Sequence, residues 1–169
     1  YLPPYEAGVR AGAQTVMSGF NDISGTPASA NPYTLTEVLK KRWGHDGFVV
    51  SDWASVTQLI AQGAAADNKE AARLALNAGV DMDMVDRCYD AHLARLVREN
   101  KVQLYRIDDA VRRVLRVKFR LGLFDRPYTP AVAPEARFLT PENRAVAERL
   151  AEECIVLLKN EGGLLPLAT

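Results

Sequence analysis

A carboxylate placed directly behind a run of apolar β-formers is the first position in this sequence suited to chemistry. Phe48-Val49-Val50-Ser51 reads as a buried strand, and Asp52 follows it at once. A packed strand is a rigid support, and a nucleophile needs one because small misplacements cost rate steeply. The competing role for Asp52 is N-cap of the next helix, a position that Asp favours. Trp53 comes next. An aromatic face beside a carboxylate suits a sugar ring, whose C–H face is apolar; packing over the strand end as core is the alternative. Met17 and Phe20 stand at the end of an earlier apolar run, Thr15-Val16-Met17, where Met is an ordinary core filler. Asn21 and Asp22, just ahead of Ser24-Gly25, have turn chemistry.

Asp81, Asp83 and Asp86 form a second cluster, around Met82 and Met84. Grouped acids suit Mg²⁺ or Ca²⁺. Alternation along a strand instead puts Asp81 and Asp83 on one face, lining the polar end of a barrel, and the two methionines on the other. The second reading is preferred, so no metal is assigned. His45 and His92 are the only histidines, too far apart for a Ser-His-Asp reading and too few for a three-histidine zinc site. His45, in the turn Gly44-His45-Asp46-Gly47, reads as solvated. G-x-S-x-G, P-loop and G-x-G-x-x-G patterns are missing, so serine acyl transfer and nucleotide chemistry lose their usual signatures and no cofactor is called for. Cys88 and Cys154 have no metal or redox spacing and read as two buried thiols, with a disulfide between them left open.

The elements that position these residues follow from periodicity. Three short apolar runs, Thr15–Met17, Gly47–Ser51 and Val80–Met84, read as strands, the third weakened by its acids. Between them lie helical patterns. Leu35, Val38, Leu39 and Trp43 share a face, with Thr34 and Glu37 as a capping box and Gly44 as the stop. Val56, Leu59 and Ile60 mark a short segment. Asp67 and Glu70 start a helix that runs to Gly79. A helix around Leu93, Leu96 and Val97 follows. A longer one, with Ile107, Val111, Val114 and Leu115 on one face, ends near Gly122. Val16 to Val49 is 33 residues and Val49 to Val80 is 31, the repeat of a βαβ unit with parallel strands. That periodicity fits a barrel or a doubly wound sheet alike. In either, reactive residues collect at the carboxyl ends of the strands, which selects Asn21, Asp22, Asp52, Trp53 and Asp86.

From Asp125 to Pro141 prolines replace periodicity, which reads as an extended linker over 126–140. Thr140 then caps a helix with Pro141 at its first position and Val146, Leu150, Cys154 and Leu157 on one face. The chain begins without methionine and stops in an apolar run, so it reads as a fragment of a longer polypeptide. Acidic and basic residues both total 21, which gives no reason to expect nucleic acid or an anionic membrane as partner. No apolar run approaches the ~18 residues of a membrane span.

Several segments, in order and over nearly the whole chain, resemble glycoside hydrolase family 3, in particular its two-domain β-glucosidase-like members. They include Val16-Met17-Ser18-Gly19-Phe20-Asn21, Gly47-Phe48-Val49-Val50-Ser51-Asp52-Trp53, Ala78-Gly79-Val80-Asp81-Met82, Leu121-Gly122-Leu123-Phe124 and Val156-Leu157-Leu158-Lys159-Asn160. The second is quite specific; the others are weak singly. The resemblance implies an α/β fold: the last three strand–helix units of a TIM-like barrel over 1–125, a linker over 126–140, and the start of an α/β sandwich domain over 141–169. It implies Asp52 as nucleophile of a retaining double displacement, with Trp53 and Met17 lining the sugar subsite and Phe20 shaping it. Many members carry Tyr at the position of Phe20, and Phe20 has no hydroxyl to donate to Asp52. It also implies that the acid/base Glu and most sugar-hydroxyl ligands lie outside this chain, which alone is expected to be inactive. The partners implied are a β-linked glucoside or oligosaccharide and the remainder of the polypeptide. The location implied is periplasmic or secreted.

Three other readings compete. One is a β-xylosidase or β-N-acetylhexosaminidase of the same family, the latter disfavoured by the two-domain pattern. Another is a non-catalytic carbohydrate-binding protein on the same fold. The last is an unrelated metal-dependent barrel enzyme using the acidic cluster.

Overall fold

Helices and parallel strands alternate along the first three quarters of the chain. The computed structural model describes residues 1–129 and 138–167. Part of the expected linker, 130–137 with Pro130 and Pro134, lies outside the described residues. The chain divides into two compact units, Tyr1–Pro127 and Tyr128–Thr169.

The first unit begins with helix α1 (Leu2–Arg10) and strand β1 (Thr15–Ser18). A two-residue hairpin follows, β2 (Asp22–Ile23) against β3 (Thr26–Pro27). Its turn residues Ser24 and Gly25 both have positive φ (52° and 77°), the backbone a tight hairpin requires and the reason for glycine there. The turn chemistry read from Asn21-Asp22 and Ser24-Gly25 is therefore what the chain uses. A π-helix, Tyr33–Arg42, leads to strand β4 (Phe48–Ser51). After α2 (Gln58–Ala61) come α3 (Asn68–Ala78), α4 (Cys88–Arg98) and α5 (Leu104–Arg120).

β1 and β4 pair in parallel, Thr15 opposite Phe48 through Ser18 opposite Ser51. Val16 and Val49 face the helix layer and join the core with Leu59, Leu76, Val80 and Leu96, while Met17 lies on the open face, 44% exposed. Gly47 permits the strands to meet. A Cβ there would lie 1.8 Å from the Gln14 carbonyl oxygen, the atom that accepts from Phe48 N–H.

The third expected strand is reduced to one parallel bridge, Val50 opposite Met82. The cause is local. Asp81 and Met82 N–H both donate to the Val49 carbonyl, and the Asp81 carboxylate takes Val49 N–H at 2.8 Å. Side chains thus replace the regular ladder. Asp81 also faces the helix layer rather than the polar end of a barrel, because Lys40 on the π-helix reaches it at 2.6 Å.

The helical faces are partly as the pattern predicts. Leu35, Val38 and Leu39 are buried, but the N-cap of that helix is Pro32, and Asn31 just before it accepts Thr34 N–H on its Oδ1 at 3.1 Å; Glu37 instead pairs with Lys41. α3 has the expected cap: the Asp67 carboxylate accepts Glu70 N–H at 2.8 Å, and the Glu70 side chain accepts Ala66 N–H at 2.9 Å. On α5 the buried residues are Ala110 and Val117, while Val111 and Leu115 are exposed. The helix is rotated from the apolar stripe because Arg113 must point inward, donating to the His45 and Gly47 carbonyls. His45 is correspondingly buried rather than solvated, and its burial lowers the imidazole pKa.

In the second unit, helix α6 (Pro141–Cys154) begins at Thr140, whose hydroxyl accepts Asn143 N–H at 3.2 Å. Its expected apolar face is exposed along Val146 and Leu150, since no described element of that unit covers it. Asn160 closes a turn by bonding both N–H and C=O of Leu165. Cys88 is buried and Cys154 exposed, so the second thiol departs from the sequence reading; both are free.

Candidate active site

β4 delivers Asp52 to its carboxyl end. The strand is gripped at its other end by α5: Arg113 holds the His45 and Gly47 carbonyls, and Arg120 chelates the Asp46 carboxylate at 2.9 and 2.5 Å. The hydrogen bonds from Arg120 also hold the Asp46 carboxyl below the usual range. Past the strand, Asp52 opens a turn. Its carbonyl accepts Ser55 N–H at 3.1 Å, and its own Oδ1 accepts Trp53 N–H at 2.6 Å. Asp52 is half-buried and does not cap the next helix, since α2 starts at Gln58 with Thr57 at its N-cap. A half-exposed carboxylate on a fixed strand end, with one oxygen on a backbone donor, keeps its other oxygen available to an electrophile.

The other candidates occupy the same end of the sheet. By strand register Met17 stands beside Val50, two residues short of Asp52. Trp53 is 64% exposed, so it is no core residue of the described chain. Phe20 is 43% exposed, and its carbonyl accepts the Gln62 side-chain amide at 2.7 Å, which ties its loop to the turn after α2. Met17 also lines a cavity of about 90 Å³ with Leu2, Tyr5, Leu35, Leu39 and Trp43. Asp52 is not part of that cavity lining.

The acids of the second cluster are engaged by backbone. Asp81 bonds Val49 N–H and Lys40. Asp83 accepts Tyr89 N–H at 3.0 Å. Asp86 accepts Val56 N–H at 3.0 Å and Thr57 N–H at 3.2 Å. Among the described residues no three His, Cys, Asp or Glu side chains converge as metal ligands. Burial raises the Asp81 carboxyl pKa and lowers that of the Lys40 ammonium; desolvation outweighs their mutual attraction in both. The same cause raises Asp83 and lifts the Tyr89 phenol well above its normal value, while its hydroxyl donates to the Val80 carbonyl.

Two features escape sequence reasoning. Ser18, Ser29 and Ser55, all buried, form a hydroxyl chain with steps of 2.8 and 2.9 Å, joining the end of β1 to the turn behind Asp52. Ser51 accepts Met84 N–H on its hydroxyl at 2.8 Å. Only Ser51 carries a signal, as the polar residue closing an apolar strand; the spaced serines have none.

Residues 1–117 match the N-terminal domain of glycosyl hydrolase family 3, and the chain belongs to that family. Its α/β fold is that of the family's N-terminal domain. The chain is 42% identical to the periplasmic beta-glucosidase of Salmonella typhimurium, over 99% of its own length and 22% of the relative's. It is 39% identical to a beta-xylosidase of Formosa agariphila, covering 99% of this chain and 24% of that one. The crystal structure of the Listeria innocua beta-glucosidase in complex with glucose superposes with a TM-score of 0.86 at 41% identity, over 99% of this chain and 23% of that chain. The chain thus spans roughly a quarter of the relatives it matches.

Proposed function

We propose that the polypeptide to which this chain belongs hydrolyses terminal β-D-glucosyl residues of β-glucosides or oligosaccharides, with Asp52 as nucleophile of a retaining double displacement. Asp52 attacks the anomeric carbon as the bond to the leaving oxygen breaks and that oxygen takes a proton from a second carboxyl group. Water, deprotonated by the same group, then releases the sugar and frees Asp52. In retaining enzymes two carboxyls sit about 5 Å apart. The second is a Glu outside this chain, so the chain alone holds half of the pair. Trp53 and Met17 line the subsite of the transferred sugar, and Phe20 shapes its edge. In this reading 1–125 supplies the last three strand–helix units of a TIM-like barrel, 126–140 is the linker, and 141–169 opens an α/β sandwich domain.

The observation that carries the reading is the half-exposed Asp52 carboxylate at the carboxyl end of β4, beside an exposed Trp53. Family membership and the beta-glucosidases among the relatives support it. The beta-xylosidase relatives favour a second reading in which the transferred sugar is xylose. The test is trapping on the full-length polypeptide with activated 2-deoxy-2-fluoro-β-glucoside and the matching xyloside, followed by peptide mapping. A glycosyl adduct on Asp52 is expected, forming faster with the glucoside. An adduct elsewhere in a hydrolytically active protein refutes the nucleophile; faster labelling by the xyloside selects the second reading.

A further inference from the structure

The segment from Asp81 to Asp86 touches the chain around Asp52 at closely spaced points on both sides. Before it, Val49 N–H goes to the Asp81 carboxylate, Ser51 N–H to the Met82 carbonyl, and the Ser51 hydroxyl receives Met84 N–H. After it, Ala54 N–H goes to the Met84 carbonyl at 3.3 Å, and Val56 and Thr57 N–H both go to the Asp86 carboxylate. Asp52 and Trp53 thus form the crest between two clamped flanks, bonded only within their own turn.

The backbone on both sides of this clamp is held in a conformation that L-residues resist. Ala54 has φ 57° within the Asp52 turn, where glycine is the usual choice. On the facing segment Val85 has φ 76° and Arg87 φ 56°. Positive φ in a β-branched residue is a marked outlier, and such positions persist only where surrounding contacts over-determine them. Asp86 sits between the two. The left-handed bends direct its side chain across to the Val56 and Thr57 N–H groups. These two donors would otherwise be short of partners, because the turn behind Asp52 is not helical until Gln58.

We infer that Asp86 is a positioning residue for the nucleophile, fixing the rear of the Asp52 turn through two backbone N–H groups and so setting the approach of the Asp52 carboxylate to the anomeric carbon. The inference rests on the reading of Asp52 as nucleophile. Asp86 itself touches no substrate. Releasing it lets the strained Ala54 turn relax and moves the carboxylate off its line of attack, while the sugar contacts outside this turn stay as they are. The signature is therefore a loss in the rate of glycosyl transfer to Asp52 with little change in reagent affinity.

The experiment uses the full-length polypeptide, wild type, D86A and D86N, with activated 2-deoxy-2-fluoro-β-glucoside. The limiting rate of adduct formation and the half-saturating reagent concentration are measured per folded molecule, and the adduct is mapped. D86A is expected to slow the limiting rate ~10- to 100-fold, the scale of a small misplacement of reacting groups, with half-saturation within ~3-fold. D86N, which keeps an acceptor oxygen without charge, is expected to recover most of the loss while remaining a few-fold slow. A limiting rate in D86A within ~2-fold of wild type overturns the inference, as does a loss appearing only in melting temperature. If D86A does not accumulate folded, D86S, too short to reach both N–H groups, decides: a limiting rate within ~2-fold of wild type there overturns the inference. A wild-type protein that hydrolyses β-glucosides but carries no adduct on Asp52 refutes the nucleophile reading, a result distinct from a labelled Asp52 whose rate ignores Asp86.

Discussion

Replacing Lys40 by Met should destabilise the protein far more than replacing Lys40 and Asp81 together. The pair is buried, with side-chain exposures of 8% and 3%, and its charged atoms are 2.6 Å apart. At an effective dielectric constant of about 20 such a contact is worth about 6 kcal/mol of attraction. Removing two ions from water costs several kcal/mol each, so the intact pair contributes little net stability. K40M leaves the Asp81 carboxylate in the core with Val49 N–H as its hydrogen-bond donor and only the more distant charge of Arg113 to offset it. Breaking one side of a buried pair typically costs about 3–5 kcal/mol. K40M/D81N removes both charges and keeps an oxygen for Val49 N–H, so its cost should stay within about 2 kcal/mol of wild type. Calorimetry of the full-length polypeptide should show a fall of about 5 °C or more for K40M and a smaller one for the double variant, at roughly 2–4 °C per kcal/mol for a domain of ordinary size. Acidity adds a second arm. Burial already raises the Asp81 carboxyl, and loss of Lys40 removes the largest influence that opposes it. With the folded pKa above the unfolded one, the native state of K40M takes up a proton first. Its deficit against wild type should therefore shrink as pH falls from 7 through the folded pKa, and be fully present above it. A single variant no worse than the double, or a deficit that grows towards acid, would refute the reasoning.

Ser29→Ala removes the middle of the serine chain and leaves the buried hydroxyls of Ser18 and Ser55 short of a partner, at about 1–3 kcal/mol for each stranded group; a melting temperature equal to wild type would show that the chain carries no stability. Gly47→Ala puts a methyl group into the Gln14 carbonyl, a backbone atom that cannot swing aside, so β1 and β4 must part at their start. The expected cost is at least about 1–3 kcal/mol, with lower yield of folded protein, and an unperturbed Tm would contradict the contact.

Where a residue's fate depends on neighbours in sequence, the sequence was enough. Phe48 to Ser51 announces β4 and so places Asp52. Asp67 with Glu70, and Thr140 with Pro141, announce two helix starts. Where it depends on partners dozens of residues away, patterning misleads. Val80 to Met84 looks like a strand with intrusive acids, yet one of them, Asp81, helps join it to β4 beside the backbone bonds of Met82. His45 looks like a turn residue because Arg113, which donates to its carbonyl, is 68 positions on. The stripe on α5 departs for the same reason: the inward Arg113 leaves Val111 and Leu115 outside. At the site, Asp52 is legible from the strand that precedes it, whereas the bonds made by Asp86 and the three serines join positions 11 to 30 residues apart and leave no local pattern.

The serine chain also bears on how this sequence can change over time. Among the described residues each hydroxyl is satisfied only by another, so the first loss is penalised by the groups it strands, while exchange of all three for small apolar residues removes the mismatch altogether. Contacting positions of this kind are non-additive. Single-step drift at Ser18, Ser29 or Ser55 meets a barrier that a joint replacement does not, and in library design the three behave as one locus, to be varied together or not at all.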